Sequence, residues 1–124
     1  MRRVRRRYVA LGVLWTVGAV ATLFLPGSAV PHPSPEWNAL AHITFFAVAV
    51  ALWAAAFPGR LRQVAAVAAV VAVATEVGQG TLIPGRGAQW VDLVADLYGV
   101  LGGLALGIVL PWVLPGRARR SRRP

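Results

Sequence analysis

Apolar residues run almost unbroken through four stretches of the chain, at 8–25, 38–57, 64–81 and 89–113. Each approaches or exceeds the ~20 residues that cross the hydrocarbon core of a bilayer as an α-helix. The connections between them, 26–37, 58–63 and 82–88, are too short to hold a separate aqueous domain. The pattern predicts one all-α membrane domain over residues 1–124, with four transmembrane helices and basic tails at 1–7 and 114–124. Helix breakers fall where this reading needs them: Pro26 with Gly27, Pro58 with Gly59, then Pro84, Gly85 and Gly87, and finally Pro111 with Pro115.

The arginines orient these helices. Five precede the first run, none lies in the first connection, two in the second, one in the third and five after the fourth run. By the positive-inside rule both termini and the 58–63 turn, with Arg60 and Arg62, are expected in the cytoplasm, and the first and third connections outside. Arg86 is the exception, on the outward side. A basic head before an apolar run also resembles a secretory signal, but the run at 8–25 is longer than the ~7–15 residues of such a segment, so a retained helix is expected.

Composition fits this picture. Of 124 residues, 57% are hydrophobic and 14% charged, against about a quarter charged in soluble domains. Thirteen arginines, no lysine and four acids give a formal charge of +9. Because the basic tails abut apolar helices, the expected partners are membrane lipids with anionic headgroups, not nucleic acid. The absence of cysteine excludes disulfides, thiolate metal sites and thiol nucleophiles. The first connection holds Ser28, His32, Ser34 and Glu36, but neighbours in sequence do not make a catalytic triad, which is defined by geometry. Loop polarity accounts for them.

Ionisable groups inside spans cost several kcal/mol unless paired and so mark candidate sites. Here they are His42, Glu76, Asp92 and Asp96, with the amide of Gln79. The arginine-based topology puts all of them within roughly 10 Å of the outer boundary at ~1.5 Å rise per residue. Asp92, Asp96, Gly99 and Gly103 share one stripe of the fourth helix, and Gly107 extends its small-residue spacing. Ala69, Ala72, Glu76 and Gln79 form a comparable stripe on the third. The two stripes are expected to face each other, with Arg86 above the acids and His42 completing the site over Phe46 and Ala49. Each of these residues also has a structural explanation. Asp92 suits a helix N-terminus, Arg86 can reach the headgroups, and polar pairs between helices act as glue worth about 1 kcal/mol. The ligand types could hold a divalent cation, but their spacing matches no metal motif, and neither metal nor cofactor is expected.

The ordered polar marks read N-x-x-x-H at Asn38 and His42, E-x-x-Q at Glu76 and Gln79, P-G-R at Pro84 to Arg86, and D-x-x-x-D-x-x-G-x-x-x-G at Asp92, Asp96, Gly99 and Gly103. In this order, over more than half the chain, they resemble the VanZ-like membrane family, whose namesake is associated with teicoplanin resistance. Many members carry an Asp-Lys pair before the histidine and an asparagine at the position of Asp96. Asn38, Ala39 and Asp96 here make the outer cluster more acidic. The resemblance implies a small multi-pass protein of the bacterial cytoplasmic membrane and cell envelope, with a link to glycopeptide tolerance.

The leading functional expectation is an outward-facing polar pocket centred on Glu76, Arg86, Asp92 and Asp96, binding a polar or anionic, lipid-linked headgroup. The alternatives are an enzyme modifying such a headgroup with His42 or an acid as base, and a scaffold acting as a homo-oligomer or beside a membrane partner. An ion-coupled transporter is disfavoured because the cytoplasmic halves of the helices are nearly all Ala, Val, Leu and Gly.

Overall fold

The computed structural model describes residues 2–29 and 34–113. His32 and the basic stretch at 117–123 lie outside the described residues. Four helices follow one another: α1 (Arg2–Leu23), α2 (Pro35–Ala56), α3 (Leu61–Leu82) and α4 (Trp90–Val113), with short 3-10 turns at Gly27–Ala29 and Pro58–Arg60. No strand occurs among the described residues.

Proline sets three of the helix boundaries. Pro35 opens α2, where its missing N–H would have found no helical partner, and Glu36 follows in the first turn. Both α2 and α3 stop two residues before a proline, because the ring of Pro58 or Pro84 crowds the residue ahead of it out of helical geometry. Phe57 accordingly sits at φ −132°, ψ 64°, and Ile83 at φ −104°, ψ 112°.

Among the described residues, three helices are long and apolar enough to cross a membrane. They are α2, the segment Pro58–Leu82 containing α3, and the Trp90–Val109 part of α4, with mean hydropathies of 2.0, 1.5 and 1.7. In contrast, α1 carries its helix back through the arginines to Arg2, so the basic head is helical instead of a tail. Arginine is a good helix former, and neither glycine nor proline interrupts residues 2–7. The helix then ends at Leu23, which leaves residues 8–23 as its uncharged stretch, about 24 Å long against ~30 Å of hydrocarbon.

Partners are distributed inside out relative to a water-soluble protein. Leu14 and Val70 are 72% and 68% exposed, whereas His42, Glu76, Gln79, Asp92 and Asp96 are buried. A small apolar core of Leu23, Phe46, Val50, Ala72 and Val100 lies beneath the buried polar groups. Apolar outer faces around a polar interior suit a bundle whose solvent is lipid.

The tightest packing joins α2 and α4, which run parallel. A Cβ on Gly99 would fall 2.5 Å from the Ile43 carbonyl oxygen, and one on Gly103 would fall 2.6 Å from that of Ala47. Gly107 lies in the same way against Ala54. The stripe spacing predicts that the α4 stripe faces α3; the glycines instead rest on α2, and the α3 stripe points Gln79 at the end of α1 and Glu76 at the start of α4. Helical period identifies a face but not the neighbour it meets, and hydrogen bonding decides the matter here. Antiparallel to α2, α1 is joined to it by the indole N–H of Trp15, which donates to the Phe45 carbonyl at 3.0 Å, and that of Trp53, which donates to the Thr16 hydroxyl at 3.1 Å.

Candidate functional site

The buried polar groups gather at one end of the bundle, where α1 and α3 finish and α2 and α4 begin. Because α2 and α4 are parallel and in register, residues four apart on one helix meet residues four apart on the other. The Asn38 amide donates to Asp92 Oδ1 at 2.8 Å, and one turn deeper His42 Nδ1 meets Asp96 Oδ1, also at 2.8 Å. His42 Nε2 lies 3.8 Å from Asp92 Oδ2, so the imidazole sits between both carboxylates. His42 and Asp96 are each only 1% exposed. Asn38 is half-buried and forms the rim.

Glu76 approaches from α3. One of its carboxylate oxygens accepts the backbone N–H of Gln89, whose own carbonyl receives the N–H groups of Asp92 and Leu93 in the first turn of α4. Glu76 thereby closes the start of α4 from a different helix.

Arg86 is placed otherwise than the sequence suggested. The segment from Ile83 to Arg86 is a tight turn, with Pro84 second, Gly85 third at φ +76°, and a 3.2 Å bond from the Arg86 N–H to the Ile83 carbonyl. This is the pattern of a type II turn, whose third position demands positive φ and therefore glycine. It directs Arg86 toward the end of α1, where Nη1 donates to the carbonyls of Leu23 at 3.0 Å and Leu25 at 3.5 Å. Gln79 donates to the same Leu23 carbonyl at 2.7 Å. Both residues thus satisfy carbonyls that a helix C-terminus leaves without intrahelical partners. Among the described residues His42 is the basic side chain that contacts carboxylates at this end, and Arg86 has no carboxylate partner.

The candidate site therefore comprises His42, Asp92, Asp96 and Glu76. Gln79 and Arg86 brace α1, and Gly99, Gly103 and Gly107 bring α4 close enough for the polar pairs to form. Asn38 joins the site. Its signal was the four-residue spacing to His42, which repeats that of Asp92 to Asp96. The backbone contributions of Leu23, Leu25 and Gln89 carry no side-chain signal at all.

Three buried atoms at the site have no hydrogen-bond partner: His42 Nε2, Glu76 Oε2 and Asp96 Oδ2. A buried polar atom left in this state costs about 1–3 kcal/mol, so the arrangement is one that an added donor group would relieve. Among the described residues no group of three or more His, Cys, Asp or Glu side chains is arranged to hold a metal ion. With Asp96 fixing Nδ1, His42 presents Nε2 as a positioned nitrogen able to take or give a proton. Compared with family models, curated proteins and solved structures, the chain finds no match.

Proposed function

We propose that the chain is a VanZ-like integral protein of the bacterial cytoplasmic membrane that binds a polar, lipid-linked headgroup at the outward end of its bundle. All four helices span in this reading, with both termini in the cytoplasm. The arginine distribution supports that orientation, and α1 contributes the shortest apolar stretch.

The observation that carries the proposal is the set of three unpartnered buried atoms on His42, Glu76 and Asp96. Polar groups that served only to hold helices together would be expected to satisfy one another. An acid-rich cluster with unused acceptors favours a headgroup bearing hydroxyl or amine donors. An anionic part of the same headgroup would be met by the remaining N–H groups of Arg86, which is half-buried at this end and uses only Nη1 on the α1 carbonyls.

The test is a deletion strain complemented with wild type, Asp96→Asn or His42→Gln, scored for envelope stress and teicoplanin sensitivity with protein abundance measured alongside. Loss of complementation at unchanged abundance is the expected result. Parallel loss of abundance and phenotype would make the cluster structural and overturn the reading.

One observation favours an enzymatic reading as well. The Asp96–His42 pair leaves the buried Nε2 without a hydrogen-bond partner, 3.8 Å from Asp92 Oδ2, an orientation that suits a general base. On that reading His42→Gln abolishes turnover of the headgroup-bearing lipid while leaving its binding intact, a difference seen by comparing lipid composition with lipid retention.

A further inference from the structure

A second feature lies away from the polar end. A cleft of about 350 Å³ opens between α1, α2 and α3, walled by apolar side chains that include Val20, Phe46, Ala49, Val64 and Ala68. It runs from Phe45 on α2 to Phe57 just past the end of that helix, about 18 Å at ~1.5 Å per residue. That is a little over half of the ~30 Å hydrocarbon thickness, roughly the depth of one leaflet. The buried polar cluster lies beyond the Phe45 end.

The other end of the cleft is cationic. Arg60 and Gln63 line it there, and Arg5 lies with its guanidinium carbon 4.6 Å from the centroid of the Phe57 ring, itself part of the wall. No acid occurs among residues 1–35 or 43–75, so neither guanidinium has a carboxylate near it in sequence. Arg5 comes from α1 and Arg60 from the turn between α2 and α3; the fold brings two positive charges to the mouth of an apolar slot about one leaflet deep.

We infer that this cleft binds one anionic phospholipid, with an acyl chain between α1, α2 and α3 and its phosphate at Arg5 and Arg60. The two guanidiniums supply charge complementarity to a phosphate, for which arginine's planar fork is well suited. The slot supplies apolar walls matched in length to the chain below that phosphate. The site does not depend on the polar headgroup reading, because it occupies the opposite end of the bundle and uses different residues.

The inference is tested with purified full-length protein in detergent, titrated with dioleoyl phosphatidylglycerol or dioleoyl phosphatidylcholine and followed by native mass spectrometry. The wild type is expected to retain one phosphatidylglycerol at least tenfold more strongly than phosphatidylcholine. The Arg5→Gln/Arg60→Gln double variant, altered at exposed positions, is expected to lose that preference, and Ala68→Phe, which fills the slot, to lose retention of both lipids. Thermal unfolding confirms that each variant is folded. Equal retention of the two lipids by wild type, unaltered retention by Ala68→Phe, or a second copy of the chain in place of lipid would each overturn the assignment.

Discussion

His42 and Asp96 are separated by 54 residues of chain and by 2.8 Å in space, and the same 54 residues separate Asn38 from Asp92. Two rungs with one offset define two parallel helices in register, and neither rung can form without the other being nearly in place. The outer rung joins an amide to a carboxylate. The inner rung, more deeply buried, joins an imidazole to a carboxylate.

Truncating one member of the inner rung therefore leaves the other buried without its partner. His42→Ala and Asp96→Ala are each expected to destabilise the protein by about 2–4 kcal/mol. The double variant should cost clearly less than the sum of the two. Unfolding in mixed detergent micelles measures the cycle, and strict additivity would separate the two residues energetically.

Replacing Gly103 by leucine should push α4 away from α2, because even a Cβ there meets the Ala47 carbonyl oxygen and the Val50 side chain. The expected loss is about 1–3 kcal/mol. Gly102 has nothing within 4 Å of the corresponding Cβ position, so Gly102→Leu serves as the control and should change thermal stability little.

Arg86→Ala should loosen the end of α1 without disturbing the α2–α4 rungs. Limited proteolysis is expected to cut faster between α1 and α2, and Arg86→Lys should restore only part of the protection, since a single ammonium replaces the planar fork. Unchanged cleavage would show that Gln79 alone suffices to hold the Leu23 carbonyl.

Topology reporters discriminate between three and four spans. With four spans, a fluorescent protein fused after Pro124 is fluorescent and alkaline phosphatase inserted at Gly87 is active. Reporters at the N-terminus and at Gly59 should both read as cytoplasmic. Opposite sides for those two reporters would mean that α2 crosses and α1 does not.

Much of this architecture is legible in the sequence, for reasons that differ from part to part. The four helices follow from apolar runs bounded by Pro26, Pro58 and Pro84, and the common end of the polar groups follows from where His42, Glu76 and Asp92 fall within those runs. Two relationships were not legible. The glycines of α4 define a face, but its partner depends on the parallel register of α2, which no local pattern encodes. Arg86 invites pairing with nearby acids because formal charges are visible in a sequence, whereas the Leu23 and Leu25 carbonyls that bind it belong to a backbone that every residue shares.

Register also has a consequence for how the protein is made. At roughly 5–20 residues per second, synthesis of the 54 residues between His42 and Asp96 takes about 3–11 s. For most of that interval α2 is already complete while its histidine lacks the Asp96 carboxylate. The first three helices must wait for the fourth before their polar end closes, so a chaperone or insertase that shelters α2 until α4 arrives would act on a substrate defined by one exposed imidazole.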